Sequence, residues 1–127
     1  MKTVIETRDA PSAIGTYSQA IRVDNVVYLS GQIPINPVTG DVCEGDFRAR
    51  VQQAFDNLKA VAIAAGGDFN DIAKLTIYLT DMACFPVVNE VMQGCWPMPY
   101  PARAVVAVAG LPKGVDIEMD AIMVTPR

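Results

Sequence analysis

The last strand-forming runs of this 127-residue chain carry apolar side chains on both faces, while only two stretches of the whole sequence have the spacing of a helix. In the run Tyr100 to Lys113, Val106 and Val108 fall on one face and Val105, Ala107 and Ala109 on the other. Two helices can cover one face of a sheet, so the second face needs another partner, and an oligomer is the simplest way to bury it. The composition agrees: 51% of residues are hydrophobic and only 19% charged, lean for a small monomer with a polar surface.

Local patterns give the order of elements. Ser18–Val23 and Val26–Gly31 are β-branched runs separated by Asp24-Asn25, a pair that tolerates tight-turn conformations, and they read as a hairpin. Pro34, Asn36, Pro37, Thr39 and Gly40 then interrupt regular structure. From Phe47, the positions Val51, Ala54, Phe55, Leu58, Val61, Ala62 and Ala65 repeat at 3.6-residue spacing, and Gly66-Gly67 supplies a stop. Asp71 to Thr80 reads as a strand. Asp81 is placed to cap a second helix through Phe85, Val88, Val91 and Met92, which Pro97, Pro99 and Pro101 end. With a short strand near Thr3 to Glu6, the order is β-β-β-α-β-α-β-β in a single domain, residues 1–127, without repeats or linkers.

Bulk properties exclude several functions. A net charge of −4 and a sequence pI near 4.6 make nucleic acid an unfavourable partner. The chain has no histidine, and Cys43, Cys84 and Cys95 lack metal-ligand spacing, so no metal or other cofactor is expected and the thiols read as inert in a reducing compartment. No secretory or membrane-spanning apolar run is found, which predicts a cytoplasmic protein.

The chemistry concentrates in the last two strands. Arg103 is a lone guanidinium in an apolar run, and Val115 to Ile122 alternates Asp116, Glu118 and Asp120 with hydrophobes. If the two runs pair as a hairpin about Gly110–Gly114, Arg103 faces Asp120 and Val105 faces Glu118, all on the helix-free face. A purely structural Arg103–Asp120 ion pair is the bland alternative.

These residues also sit in motifs that resemble the reactive intermediate deaminase (Rid, YjgF-like) family, also called L-PSP endoribonucleases. The matching pieces are Ala10 to Ala20, Ser30-Gly31-Gln32-Ile33-Pro34 followed by Thr39-Gly40, Val88-Asn89, Tyr100-Pro101-Ala102-Arg103, Leu111-Pro112-Lys113, and Ile117-Glu118 with Ala121-Ile122. The resemblance implies a chorismate-mutase-like α+β fold, a mixed sheet of about six strands with two helices on one face, assembled as a homotrimer with clefts between subunits. It implies a cofactor-free RidA-type hydrolase acting on C=N bonds, which converts enamines and imines such as 2-aminoacrylate, 2-iminopropanoate and 2-iminobutanoate to 2-oxo acids and ammonia. In that pattern Arg103 grips the substrate carboxylate, Glu118 orients or activates water, and Tyr17, Ser30, Gly31 and Asn89 shape the pocket. Val105 stands where the family's pocket has a cysteine and so counts among the expected substrate-binding residues, Thr16 stands where proline is usual, and Gly110 where many members have arginine. These departures point to the substrate as the feature that differs, an aminomuconate-type compound included. Two further functions remain open: a non-catalytic module binding a small carboxylate, and a ribonuclease, which the acidic charge and absent histidine disfavour.

Overall fold

Each run read as a strand or helix becomes one in the computed structural model, which describes residues 1–126; Arg127, the last residue of the expected domain, lies outside the described residues. The strands are β1 (Lys2–Ile5), β2 (Ala20–Val23), β3 (Val26–Gln32), β4 (Ile72–Leu79), β5 (Ala102–Ala107) and β6 (Ile117–Val124), with helices α1 (Phe47–Ala64) and α2 (Phe85–Cys95). They form one mixed sheet in the order β1-β2-β3-β6-β4-β5, in which β4 and β5 are parallel and every other neighbouring pair antiparallel. The two-residue turn Asp24-Asn25 joins Val23 to its partner Val26, with Asp24 at a φ of 54°, a left-handed conformation that aspartate tolerates better than most residues.

Helix α1 begins at Asp46, whose side chain accepts the Ala49 N–H at 3.0 Å. It ends where Gly66 takes a φ of 87° and Gly66 and Gly67 return their N–H groups to Ile63 and Ala62. Its buried stripe of Val51, Ala54, Phe55, Leu58, Val61 and Ala62 packs onto β3 and β6 and shares one core with Val27 and Leu29 of β3, Leu75, Ile77 and Leu79 of β4, and Ile117, Met119 and Met123 of β6, all buried. Each such large side chain contributes about 2 kcal/mol relative to exposure. Asp81 heads a short 3₁₀ turn, Met82–Cys84, rather than α2 itself; α2 follows at Phe85 with Pro86 in its first turn, where a missing N–H costs nothing.

The expected hairpin between the last two strands does not form. Parallel neighbours need a crossover, and α2 supplies it between β4 and β5. The Gly110–Gly114 segment then carries the chain past β4 to its opposite edge, so Tyr78, not Val105, faces Glu118, and Thr76, not Arg103, faces Asp120. The helices cover a single face, as expected. On the other, Val4, Val23, Tyr28, Val106, Ile122 and Val124 remain 37–52% exposed. Among the described residues no helix is long and apolar enough to cross a membrane.

The Pro34 segment is tied to α1 by Asn57, 1% exposed, whose Nδ2 donates to the Ile33 and Ile35 carbonyls at 3.1 and 2.9 Å while its Oδ1 accepts from Gln53 at 2.9 Å. Asn57→Ala leaves both carbonyls without that donor, and urea unfolding is expected to show a loss of about 1–3 kcal/mol. An unchanged midpoint and slope would mean that other donors replace it.

Candidate functional site

Arg103 is the second residue of β5, the sheet's edge strand, in the row of the buried Leu75, so its side chain leaves the sheet on the helix side. There α2 receives it. Phe85, Asn89 and Met92 are spaced four and three residues apart and share one face of that helix. Nη1 of Arg103 donates to Asn89 Oδ1 at 2.7 Å and lies 3.5 Å from Met92 Sδ, while its Cζ stands 5.3 Å from the centre of the Phe85 ring. Helix and ring thus hold one edge of the guanidinium, and among the described residues no carboxylate pairs with it. Its remaining donors face a cavity of about 340 Å³ lined also by Gln93, Tyr100 and Pro101. A planar cation with an unoccupied fork is suited to a carboxylate ligand.

Glu118 points the other way. Its odd-numbered neighbours Ile117 and Met119 are fully buried under the helices, so alternation sends Glu118 to the helix-free face, half-buried. On one side it meets Tyr78 of β4. On the other lies Gly31, where the β3–β6 ladder is interrupted between Leu29 and Gln32. The carboxylate rests directly on that strand: a Cβ on Gly31 would stand 1.9 Å from Glu118 Oε2. Burial pushes the Glu118 carboxyl above the usual glutamate range, and the neighbouring Asp120 adds to the shift.

Tyr17, Ser30, Gly31, Pro112 and Glu118 line one cavity of about 360 Å³, whose walls also include Ile14, Ile33 and Ile35. The Ser30 hydroxyl donates to Ser18 O at 2.5 Å, and the Tyr17 hydroxyl, on a half-exposed ring, accepts the Ile14 N–H at 3.4 Å. Gln19, 4% exposed, was not singled out by sequence reasoning, yet it fixes this wall: its Oε1 accepts the Thr7 N–H at 2.7 Å, and its Nε2 donates to the Thr7 and Pro11 carbonyls at 3.0 and 2.8 Å. A long amide side chain at the junction of a Gly-, Ser- and Pro-containing loop with a strand was the available signal.

Of the residues picked from the sequence, then, Tyr17, Ser30, Gly31 and Glu118 share one cavity, and Asn89 and Arg103 share another. Val105 lines neither; it packs half-buried against the core, in the row of Ile77. Arg103 and Glu118 do not share a face, in correction of the hairpin register, and they line different cavities of the protomer. An Arg103–Asp120 ion pair is also absent, because Asp120 lies on the helix-free face and accepts a hydrogen bond from Tyr78 Oη at 2.8 Å. Among the described residues no group of three His, Cys, Asp or Glu side chains is arranged to hold a metal, and Cys43, Cys84 and Cys95 are free, half-buried thiols.

Comparison with known proteins adds three kinds of likeness. Residues 7–125 match the family described as Endoribonuclease L-PSP. A 2-iminobutanoate/2-iminopropanoate deaminase of Dermatophagoides farinae is 45% identical over 97% of this chain and 96% of its own. The crystal structure of RidA from the Antarctic bacterium Psychrobacter sp. PAMC 21119 superimposes with a TM-score of 0.94 at 48% identity, covering 97% of this chain and 99% of that one. E. coli TdcF, crystallised with bound serine, gives 0.91 at 39% identity over 98% and 99%.

Gly31→Ala is expected to leave the strands intact but to drive the Glu118 carboxylate off β3. A crystal structure of the variant checks this. An unmoved Glu118 side chain beside the new methyl group would contradict the close approach.

Proposed function

The chain belongs to the Endoribonuclease L-PSP family, the reactive intermediate deaminases, and from that premise we propose that it hydrolyses small 2-imino acids and their enamine tautomers to 2-oxo acids and ammonia. The observation that carries the site assignment is the pair of incomplete half-sites. One protomer offers a guanidinium that pairs with no acid among the described residues, on the helix side of its edge strand, and a half-buried glutamate on the open face of the same sheet. Neither suffices alone for an imino acid, which has a carboxylate to hold and a C=N bond to attack. In this reading the copies close into a homotrimeric ring that buries their open faces, and Arg103 and Asn89 of one protomer complete the site with Tyr17, Ser30, Gly31 and Glu118 of the next. The exposed apolar residues of the open face support this assembly.

In this reading Arg103 clamps the substrate carboxylate with the donors that Asn89 leaves free. The protonated imine carbon is already electrophilic, so placing water and a base beside it is the main task. Glu118 accepts a proton from water as the water oxygen bonds to the imine carbon and the C=N π pair moves to nitrogen. It then returns that proton to the amino group of the carbinolamine. The C–N bond breaks with its electron pair leaving on ammonia, the carbinolamine hydroxyl becomes the 2-oxo group, and its proton leaves with ammonia as ammonium. The raised proton affinity of Glu118 serves both halves of this exchange.

The test is 2-oxo acid and ammonia release from imines generated freshly by an amino-acid oxidase. Glu118→Gln is expected to lower kcat by about 10²–10⁴-fold, and Arg103→Ala to raise KM by about 10–100-fold through loss of a charge-assisted contact. Mixing the two variants after denaturation and refolding should restore roughly a quarter of wild-type activity, since a site then needs its arginine from one variant and its glutamate from the other. No recovery on mixing, with both variants assembled, would place the site within one protomer. The serine bound to TdcF favours one rival, a carboxylate-binding module. It predicts 2-oxo acid binding by calorimetry that survives Glu118→Gln, is lost in Arg103→Ala, and comes with no turnover in the wild type.

Ile122→Lys places a charge in the centre of the open apolar face. Light scattering is expected to show dissociation to monomers, whereas an unaltered mass would leave that face free of any interface.

A further inference from the structure

The open face beside Glu118 holds two groups that the steps above leave unused. Asp120 lies two residues further along β6 on the same face, roughly 7 Å away by strand rise. Its partner is not a cation but the Tyr78 hydroxyl, which donates to Asp120 Oδ2 at 2.8 Å. Tyr78 is also the residue paired with Glu118 across the β4–β6 ladder. Its backbone thus stands opposite one carboxylate while its hydroxyl holds the other, and all three side chains are half-buried.

Among the described residues no cation forms an ion pair with Asp120 or Glu118. β6 contributes Asp120 itself; β4 contributes Tyr78 and, two rows away beside Ile122, the exposed Lys74. β3 contributes Gly31 and, in the Ile122 row, Tyr28. The N-terminal loop contributes Tyr17, and the Pro112–Gly114 turn brings Pro112 to the cavity and carries Lys113, which is exposed. An aspartate without an ion-pair partner would otherwise rotate away from a neighbouring carboxylate, since like charges on one face repel. The hydrogen bond prevents that rotation. The Tyr78 hydroxyl shows the same coupling from the other side: the bond to Asp120 first, then burial and the two carboxylates, push it up to about 12.

Resting on the reading of Glu118 as the proton-transfer group, we propose that Asp120 and Tyr78 are positioning residues for the deamination, with Tyr78 tethering the Asp120 charge where it makes Glu118 a stronger base towards water and a firmer holder of the proton it returns to nitrogen. Both residues stand behind the cavity that Glu118 lines rather than among its walls. Two carboxylates with unlike surroundings divide their duties, one held by a hydrogen bond while the other lines the cavity and exchanges protons.

Carbon-13 NMR titration of the glutamate side-chain carboxyls tests this without any substrate, with the Glu118 signal identified by its loss in Glu118→Gln. In Asp120→Asn, an isosteric change, the Glu118 midpoint should move to lower pH by at least about threefold in proton affinity, as removal of a charge at this range requires. Tyr78→Phe should move it the same way by less, and should add nothing in the Asp120→Asn background. The acid limb of kcat/KM on imines should shift with the midpoint. A Glu118 midpoint unmoved in a folded Asp120→Asn variant overturns the inference, as does a Tyr78→Phe effect of equal size with and without Asp120. Absence of imine turnover in the wild type would instead remove the deaminase reading, and the NMR comparison would still decide whether Asp120 and Tyr78 govern Glu118.

Discussion

The burial of Ile117, Met119, Ala121 and Met123 beneath the helices is the constraint on which the site depends. Because strand side chains alternate, four buried hydrophobes on one side of β6 force Glu118, Asp120 and Ile122 to the other. Slipping β6 by one residue would put two carboxylates into the core, at several kcal/mol each, and expose three large apolar groups together with Ala121. The aim of the glutamate is therefore set by core packing. No contact of its own carboxylate is needed to choose the face.

Polar side chains with their hydrogen-bonding capacity spent on backbone then fix what surrounds Glu118. Gln19 fastens the N-terminal loop that carries Tyr17, and Asn57 fastens the Ile33–Ile35 segment to α1, so two walls of one cavity hang from two buried amides. Arg50, in a two-pronged bond to Asp116 at 3.0 and 2.7 Å, ties the start of α1 to the residue preceding β6. Such groups are costly to bury unpaired, and here each is paired. Trp96 is the exception: its indole stacks on Phe69 at 4.0 Å, but its Nε1–H has no partner among the described residues.

The order and kind of all eight main elements could be read from the sequence, because turn residues and hydrophobic periods mark them locally: Asp24-Asn25, the Gly66-Gly67 stop, the prolines after α2. Strand adjacency could not. The alternation along β6 is the same whether its neighbour is β5 or β4, so Val115 to Ile122 fits a hairpin with Arg103 as well as it fits its true place between β3 and β4. The deciding influence is α2, which makes β4 and β5 parallel neighbours and leaves β6 the other edge of β4. Arg103 reverses faces as a result. Tyr78 was hidden for the same reason, since its relation to Glu118 and Asp120 exists only across that ladder. Gly31 was found through its motif, but the reason for it, a carboxylate lying against its Cα, appears only in three dimensions.

That reversal carries chemical weight. Had the hairpin formed, Arg103 and a β6 carboxylate would sit on one face of one chain and neutralise each other, leaving neither an anion site nor a free base. Opposite faces keep the guanidinium unpaired by acid, steadied by Asn89 and the Phe85 ring, and keep Glu118 among groups that strengthen rather than quench its hold on a proton. In the proposed assembly the two meet only across a subunit boundary, where the substrate stands between them: its carboxylate takes the cation and its C=N carbon faces the glutamate. Separation within the protomer is thus what allows both groups to act on a third molecule instead of on each other.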